Sequence, residues 1–159
     1  IFRQMQPSDR LTIVEINRNF LAMTRRKMLQ SFGDEAIAEQ VSLINADFLH
    51  NRLPADSFSR ICCSLPFNNF PPQMIGDIFH EMLRVCRPGG YVALFDAVLP
   101  LSPWRRPLAY LVRRLDRGKF MRQQSELESL LPARAQWSIN RFTYTFNGLE
   151  MLMGVYSKV

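Results

Sequence analysis

The chain has 159 residues, of which 47% are apolar and 21% charged. That is long enough to bury a real core and too apolar for an intrinsically disordered chain. Lys and Arg outnumber Asp and Glu by 20 to 14, a net charge of +6, which favours anionic partners without choosing among nucleic acid, acidic lipid and a polyanionic cofactor.

Ile1 to Gln6 reads as the end of a helix and Pro7 to Arg10 as a turn. Leu11 to Ile16 (LTIVEI) is short, apolar and rich in β-branched residues, which predicts a buried strand. Asn17 then caps a helix from about Arg18 to Phe32, with Gly33 as its stop. Phe20, Met23, Met28 and Phe32 fall roughly on one face of it.

Val41 to Ala46 is a second strand, and a loop with Pro54 leads to a third at Arg60 to Leu65. The apolar, Pro- and Asn-rich stretch Pro66 to Phe70 follows. Pro71 and Pro72 suit a helix start, and the helix runs to about Arg87 with a stripe of Met74, Ile75, Ile78, Phe79, Met82, Leu83 and Cys86. Pro88-Gly89-Gly90 turns into a strand from Tyr91 to Val98. Leu99 to Arg122 is a basic helical insert. Met121 to Leu131 is another helix, with Ser125 as an internal start. Trp137 to Phe146 and Leu149 to Val159 are strands, and Asn147-Gly148 between them signals a hairpin.

Strands alternating with helices predict a parallel sheet covered on both faces. The fold class is therefore α/β, a Rossmann-like, doubly wound, mostly parallel sheet that ends in an antiparallel β-hairpin. Residues 1–159 are expected to form a single domain, with the insert at about 99–122.

Ligands of such sheets bind beyond the carboxyl ends of the strands. The first strand ends in Glu15, followed by Asn17; a carboxylate there can accept both hydroxyls of a ribose. The second is followed by Asp47 and Phe48, an acceptor for an adenine amino group and a ring to cover the base. The third ends in Ser64-Leu65-Pro66-Phe67. Each feature alone is weak: Glu15 alone is a surface charge, Asp47 a loop cap, Phe67 and Phe70 core rings. Their succession at three strand ends carries the signal.

These segments resemble class I methyltransferases from that fold's second strand onward. VEIN (Val14 to Asn17) is similar to the ribose motif, NADFL (Asn45 to Leu49) to the adenine motif, and SLPF (Ser64 to Phe67) to the methyl-acceptor motif. LRVCRPGGYVALFD (Leu83 to Asp96) resembles the turn into the fifth strand. The resemblance implies S-adenosyl-L-methionine as cofactor, held by Glu15, Asn17, Asp47, Phe48 and Ser64. It implies Ser64, Leu65 and Phe67 at the catalytic centre, with the Ser64 hydroxyl and Leu65 carbonyl steering an acceptor amine and Phe67 beside the forming cation. No metal is implied.

SLPFNNFPP resembles bacterial phospholipid N-methyltransferases acting on phosphatidylethanolamine. The first expectation is therefore an N-methyltransferase acting on a phospholipid headgroup amine, in the cytoplasm or peripheral on the inner membrane face. It also resembles ribosomal RNA adenine dimethyltransferases, but Ser64 stands where that group usually has Asn, which disfavours RNA. Methylation of a small acceptor such as a quinone precursor is a further possibility, and so is a non-catalytic, methyltransferase-like binding module. Neither histidine makes a convincing base: His80 lies inside a helix, and His50 lies near Asp47.

The insert carries Arg105, Arg106, Arg113, Arg114, Arg117, Lys119 and Arg122 against Asp116 alone, interleaved with Trp104, Leu108, Tyr110, Leu111 and Leu115. An anionic membrane surface met by Trp104, Arg105, Arg106, Arg113 and Arg114 fits that composition; a lid helix with a solvated basic face fits it as well. Cys62, Cys63 and Cys86 lack zinc-ligand spacing and read as buried small hydrophobes. No apolar run reaches the roughly 20 residues of a membrane span. The glycine-rich cofactor loop of the resembled fold, and the strand before it, are missing from the sequence, which begins at Ile1. The expectation is that these 159 residues alone bind the cofactor weakly and are inactive, and that the first and third strands either leave a gap or pair directly.

Overall fold

A computed structural model describes residues 5–33, 39–64, 67–102, 104, 106–115, 120–132, 136–144 and 149–159. The side chains of Asn68, Val112, Arg113, Arg114, Tyr144 and Leu149 lie outside that description. The chain divides into two compact units, Ile1–Arg52 and Leu53–Val159.

The first unit is a β-α-β crossover. Strand β1 (Leu11–Val14) and strand β2 (Val41–Ile44) pair in parallel, Leu11 opposite Val41 and Val14 opposite Ile44. Parallel neighbours need a long connection, and helix α1 (Arg18–Phe32) supplies it. The Asn17 side chain caps α1 as expected, accepting from the Asn19 N–H at 2.9 Å and the Phe20 N–H at 3.3 Å. Gly33, at φ +82°, ends the helix with its N–H on the Leu29 carbonyl; this left-handed backbone is the conformation glycine adopts without strain. Phe20 and Met23 remain exposed. Met5 and Gln6 are not helical.

The second unit holds four strands in the order β3-β4-β6-β5. Strand β3 (Phe58–Ser64) runs parallel to β4 (Cys86–Val98), whereas β6 (Leu149–Ser157) is antiparallel to both β4 and β5 (Trp137–Tyr144). The expected hairpin strands are therefore present; Asn147 and Gly148 lie outside the described residues. Helix α2 (Pro72–Val85) starts with Pro at its first turn and buries Ile75, Ile78, Phe79, Met82 and Val85. These side chains form a core with Val92, Leu94, Leu127 and Leu152. Phe79 stacks on Phe67 at 5.1 Å between ring centroids and meets Trp137 edge-on at 5.3 Å. Each such fully buried ring contributes about 2–3 kcal/mol through removal from water.

Pro88-Gly89-Gly90, expected as a turn before a strand, is part of β4. The reason lies at the other end of the chain. Gly89 N–H donates to the Lys158 carbonyl at 2.8 Å, and Lys158 N–H to the Gly90 carbonyl at 2.9 Å. The ladder thus continues through the glycines while the register against β3 shifts between Phe58 and Arg60. Cys86 is buried as expected, but Cys62 is exposed, because alternation along β3 turns it away from the half-buried Cys63.

After β4, helix α3 (Pro107–Leu115) buries Ala109 and leaves Leu108, Leu111 and Leu115 exposed, with Trp104 before it 95% exposed. Helix α4 (Gln124–Ser129) is capped by Gln123 and Glu126 in a reciprocal box, rather than starting at Ser125.

Candidate active site

In the first unit the carboxyl ends of β1 and β2 stand side by side. Glu15 N–H donates to the Ile44 carbonyl at 3.0 Å, extending the ladder one residue past β1. The half-buried Glu15 then turns its Oε1 back to accept from the Asn17 N–H at 2.7 Å. Asn45, the residue after β2, holds this turn in place. Its amide donates to the carbonyls of Glu15 at 2.8 Å and Ile16 at 2.9 Å, and its Oδ1 accepts from Arg18 Nε at 2.9 Å.

Asp47 caps a short 3-10 turn, Phe48–His50. Its Oδ1 accepts from the Leu49 N–H at 3.0 Å and its Oδ2 meets His50 Nδ1 at 2.8 Å. The His50 hydrogen bond, then the Leu49 N–H, hold the Asp47 carboxyl below its usual value, so it is ionised at neutral pH. The capping role and the adenine role are compatible, because a carboxylate offers about four acceptor sites. Phe48 is half-buried within the turn.

The structure thus brings Glu15, Asn17, Asp47 and Phe48 to one end of one parallel strand pair. Their chemistry fits the adenosine half of S-adenosylmethionine. The second oxygen of Glu15 accepts from no described residue, which suits a ribose hydroxyl, and Asp47 retains acceptor capacity for an amino group. Asn45 and Arg18 were not singled out as site residues from sequence. The available signal was an Asn directly after a buried strand, where a side-chain amide can serve main-chain groups of the neighbouring strand end.

In the second unit Ser64 ends β3 and is exposed, beside Phe95 of β4. Leu65 lies outside the described residues. The Phe67 ring is 1% exposed and belongs to the core beside Phe79. The burial gained by stacking a large ring on α2 outweighs exposure on a loop.

Two arginines of the insert are engaged by groups of their own unit. Arg106 donates to Thr143 Oγ1 at 2.9 Å and lies 3.5 Å from Glu150. Arg122 is 9% exposed and donates to main-chain carbonyls of Phe67 and Phe70. Each guanidinium is engaged by oxygens of its own unit, that of Arg122 buried and that of Arg106 exposed. Arg105, Arg117 and Lys119 lie outside the described residues.

A cavity of about 340 Å³ lies past the carboxyl end of β4, lined by Leu101, Ser102, Arg106, Arg141, Phe142 and Glu150, among others. Arg141 is tied there to Glu150, to Gln124 Oε1 at 3.1 Å and to the Leu99 carbonyl at 2.8 Å.

A family described as "Methyltransferase domain" matches residues 1–90, more than half of the chain. The demethylmenaquinone methyltransferase of Listeria welshimeri serovar 6b is 28% identical over 104 residues, which make up 65% of this chain and 41% of that protein. The chain thus spans about two fifths of the length of the curated relative it matches. Among solved structures, the S-adenosylmethionine-dependent methyltransferase SibL superposes with a TM-score of 0.68 at 18% identity, covering 96% of this chain and 44% of that one. A SAM-dependent methyltransferase from Methanosarcina mazei superposes with a TM-score of 0.70 at 14% identity, covering 99% of this chain and 96% of that one. The fold is the Rossmann-like α/β fold of S-adenosylmethionine-dependent methyltransferases. On the family match, the chain belongs to the methyltransferase-domain family.

Proposed function

We propose that the protein transfers a methyl group from S-adenosylmethionine to a small-molecule acceptor of the quinone-precursor class, with residues 1–159 acting as one methyltransferase domain. The cavity of about 340 Å³ past β4 carries this reading. Its size falls in the range of small-molecule sites; Leu101 and Phe142 give it an apolar part, and Ser102, Arg106, Arg141, Thr143 and Glu150 make the rest of its lining polar. The similarity to a demethylmenaquinone methyltransferase supports the same acceptor class.

S-adenosylmethionine supplies the activated methyl on a sulfonium. The residues of the chain bind and orient. Glu15 accepts from ribose hydroxyls, its direction set by the Asn17 N–H and its backbone by Asn45. Asp47 accepts from the adenine amino group, and Phe48 covers the base. Ser64 hydrogen-bonds the acceptor and aims its reacting atom. Most of the rate enhancement then comes from proximity and orientation.

A second reading, methylation of a phospholipid headgroup amine at a membrane surface, is favoured by one observation. Trp104, Leu108, Leu111 and Leu115 leave apolar surface exposed along one segment. No described helix is long and apolar enough to cross a membrane, so this reading requires surface binding.

Radiolabelled methyl transfer, measured with the protein expressed from its full reading frame, tests both. Label in a demethylated quinone supports the first reading. Label in extracted phosphatidylethanolamine, together with flotation on anionic liposomes, replaces it with the second. Transfer to neither defeats both.

A further inference from the structure

Strand β3 ends at Ser64, and a 3-10 turn, Phe67–Asn69, begins three residues on. Such a turn carries main-chain groups that no strand or helix satisfies. Two buried charged side chains satisfy them. Asp96, 1% exposed on β4, accepts from the Phe67 N–H at 2.8 Å through Oδ2. Arg122 donates through Nη1 to the Phe67 carbonyl and through Nη2 to the Phe70 carbonyl at 2.6 Å. Arg122 is itself anchored: its carbonyl accepts from the Leu99 N–H at 2.9 Å, directly past β4, and its guanidinium lies 5.5 Å from the Phe120 ring centroid.

We propose that Asp96 and Arg122 are positioning residues that hold the acceptor loop by its main chain and so fix the placement of Ser64. The role of Ser64 rests on the function proposed above; the grip itself does not.

Several features argue for a fixed loop rather than an incidental core pair. Both charges act on main-chain atoms of one turn, so they specify its backbone rather than the packing of a side chain. The planar guanidinium spans two carbonyls three residues apart, which an ammonium on a flexible stem does not reproduce. Asp96 Oδ1 also accepts from the Ala97 N–H at 2.7 Å, so both carboxylate oxygens are held by main-chain donors. Burial pulls the Arg122 guanidinium below its usual value, while the nearby charges of Asp96 and Glu126 oppose that shift. Phe67 holds the turn by its ring on Phe79 and by its main chain on Asp96 and Arg122.

The test compares Arg122→Lys, Arg122→Met and Asp96→Asn with the parent by hydrogen exchange of individual amides and by steady-state methyl transfer. In Asp96→Asn the Phe67 amide should exchange roughly tenfold faster or more while amides of β4 and β6 keep their protection. Arg122→Lys keeps the charge, so it remains informative if Arg122→Met fails to fold. It should lower kcat roughly tenfold or more with little change in KM for S-adenosylmethionine, the signature of a misplaced acceptor rather than a lost cofactor contact. Parent-like Phe67 exchange in Asp96→Asn overturns the grip, as does exchange accelerated equally across the whole unit. Parent-like kcat in Arg122→Lys overturns its link to Ser64. If the parent, expressed from its full reading frame, transfers no methyl group, the proposed function fails while the exchange measurement still judges the grip.

Discussion

The side-chain amide of Asn45 donates to the main-chain carbonyl of Glu15 across the ends of two parallel strands, at 2.8 Å. Through Arg18 Nε on its Oδ1, the same side chain links the start of α1 to that point. Asn45→Ala should destabilise the protein by about 1 kcal/mol, the usual net value of such hydrogen bonds. It should also weaken S-adenosylmethionine binding severalfold, because the Glu15 carboxylate loses its fixed turn. Glu15→Ala should weaken binding further. Calorimetric titration of both variants checks the order, and unchanged affinity in both removes the ribose assignment.

Asp47 and His50 form a pH-dependent pair at the end of β2. The Asp47 carboxyl titrates below its usual value in the folded state. Its contribution to stability is thus complete above the ordinary carboxylate value of about 3.9 and disappears as pH falls through the lower folded value. His50→Ala removes the first cause of the shift, so the Asp47 titration should move upward. Carboxyl NMR titration of parent and variant reads this directly; identical midpoints contradict it.

Gly89 and Gly90 are adjacent but needed for different reasons. Gly89 sits at φ +71° with open space where a Cβ would stand. Gly89→Ala should therefore cost about 1 kcal/mol, the left-handed backbone penalty. A Cβ on Gly90 would lie 2.7 Å from Cys86 Sγ, 2.8 Å from the Arg87 carbonyl and 3.0 Å from the Ser59 carbonyl. Main-chain atoms cannot move aside, so Gly90→Ala should cost about 2 kcal/mol or more. Urea denaturation of the two variants gives the comparison, and a reversed order refutes the assignment.

Arg141 and Glu150 face each other across β5 and β6, both largely shielded from water. Arg141→Met leaves the Glu150 charge shielded, with the more distant Arg106 as its remaining cation among the described residues. The loss should be about 3 kcal/mol. Adding Glu150→Leu should recover part of it, since the uncompensated charge is then gone. Failure of the second change to recover any stability would argue that packing, not charge, dominates there.

The burial of Cys63 pushes its thiol up to about 12, with Cys62 and Asp96 adding to the effect. At pH 8 the Cys63 thiolate is therefore scarce, and the native protein should leave it unmodified by a thiol reagent while urea exposes it. Mass spectrometry of the labelled peptide distinguishes it from Cys62.

Local chemistry was legible in the chain itself. Asn17 ahead of Arg18, Gly33 after Phe32 and Pro72 at a helix start act on backbone groups a few residues away, so α1 and the start of α2 could be read before any partner was known. The apolar stripe of α2 and the acidic residues after β1 and β2 follow from the same short-range periodicities. What tertiary structure alone decided involves partners distant in sequence. Arg122 reads as a surface cation until Phe67 and Phe70, 55 and 52 residues away, claim its guanidinium. Phe67 reads as a ring on a loop until Phe79 stacks on it and Asp96 accepts from its N–H. Pro88-Gly89-Gly90 reads as a turn until Lys158 extends the ladder through it. In each case a buried polar group or a large ring had to find a partner, and only the folded chain determines which partner lies within reach.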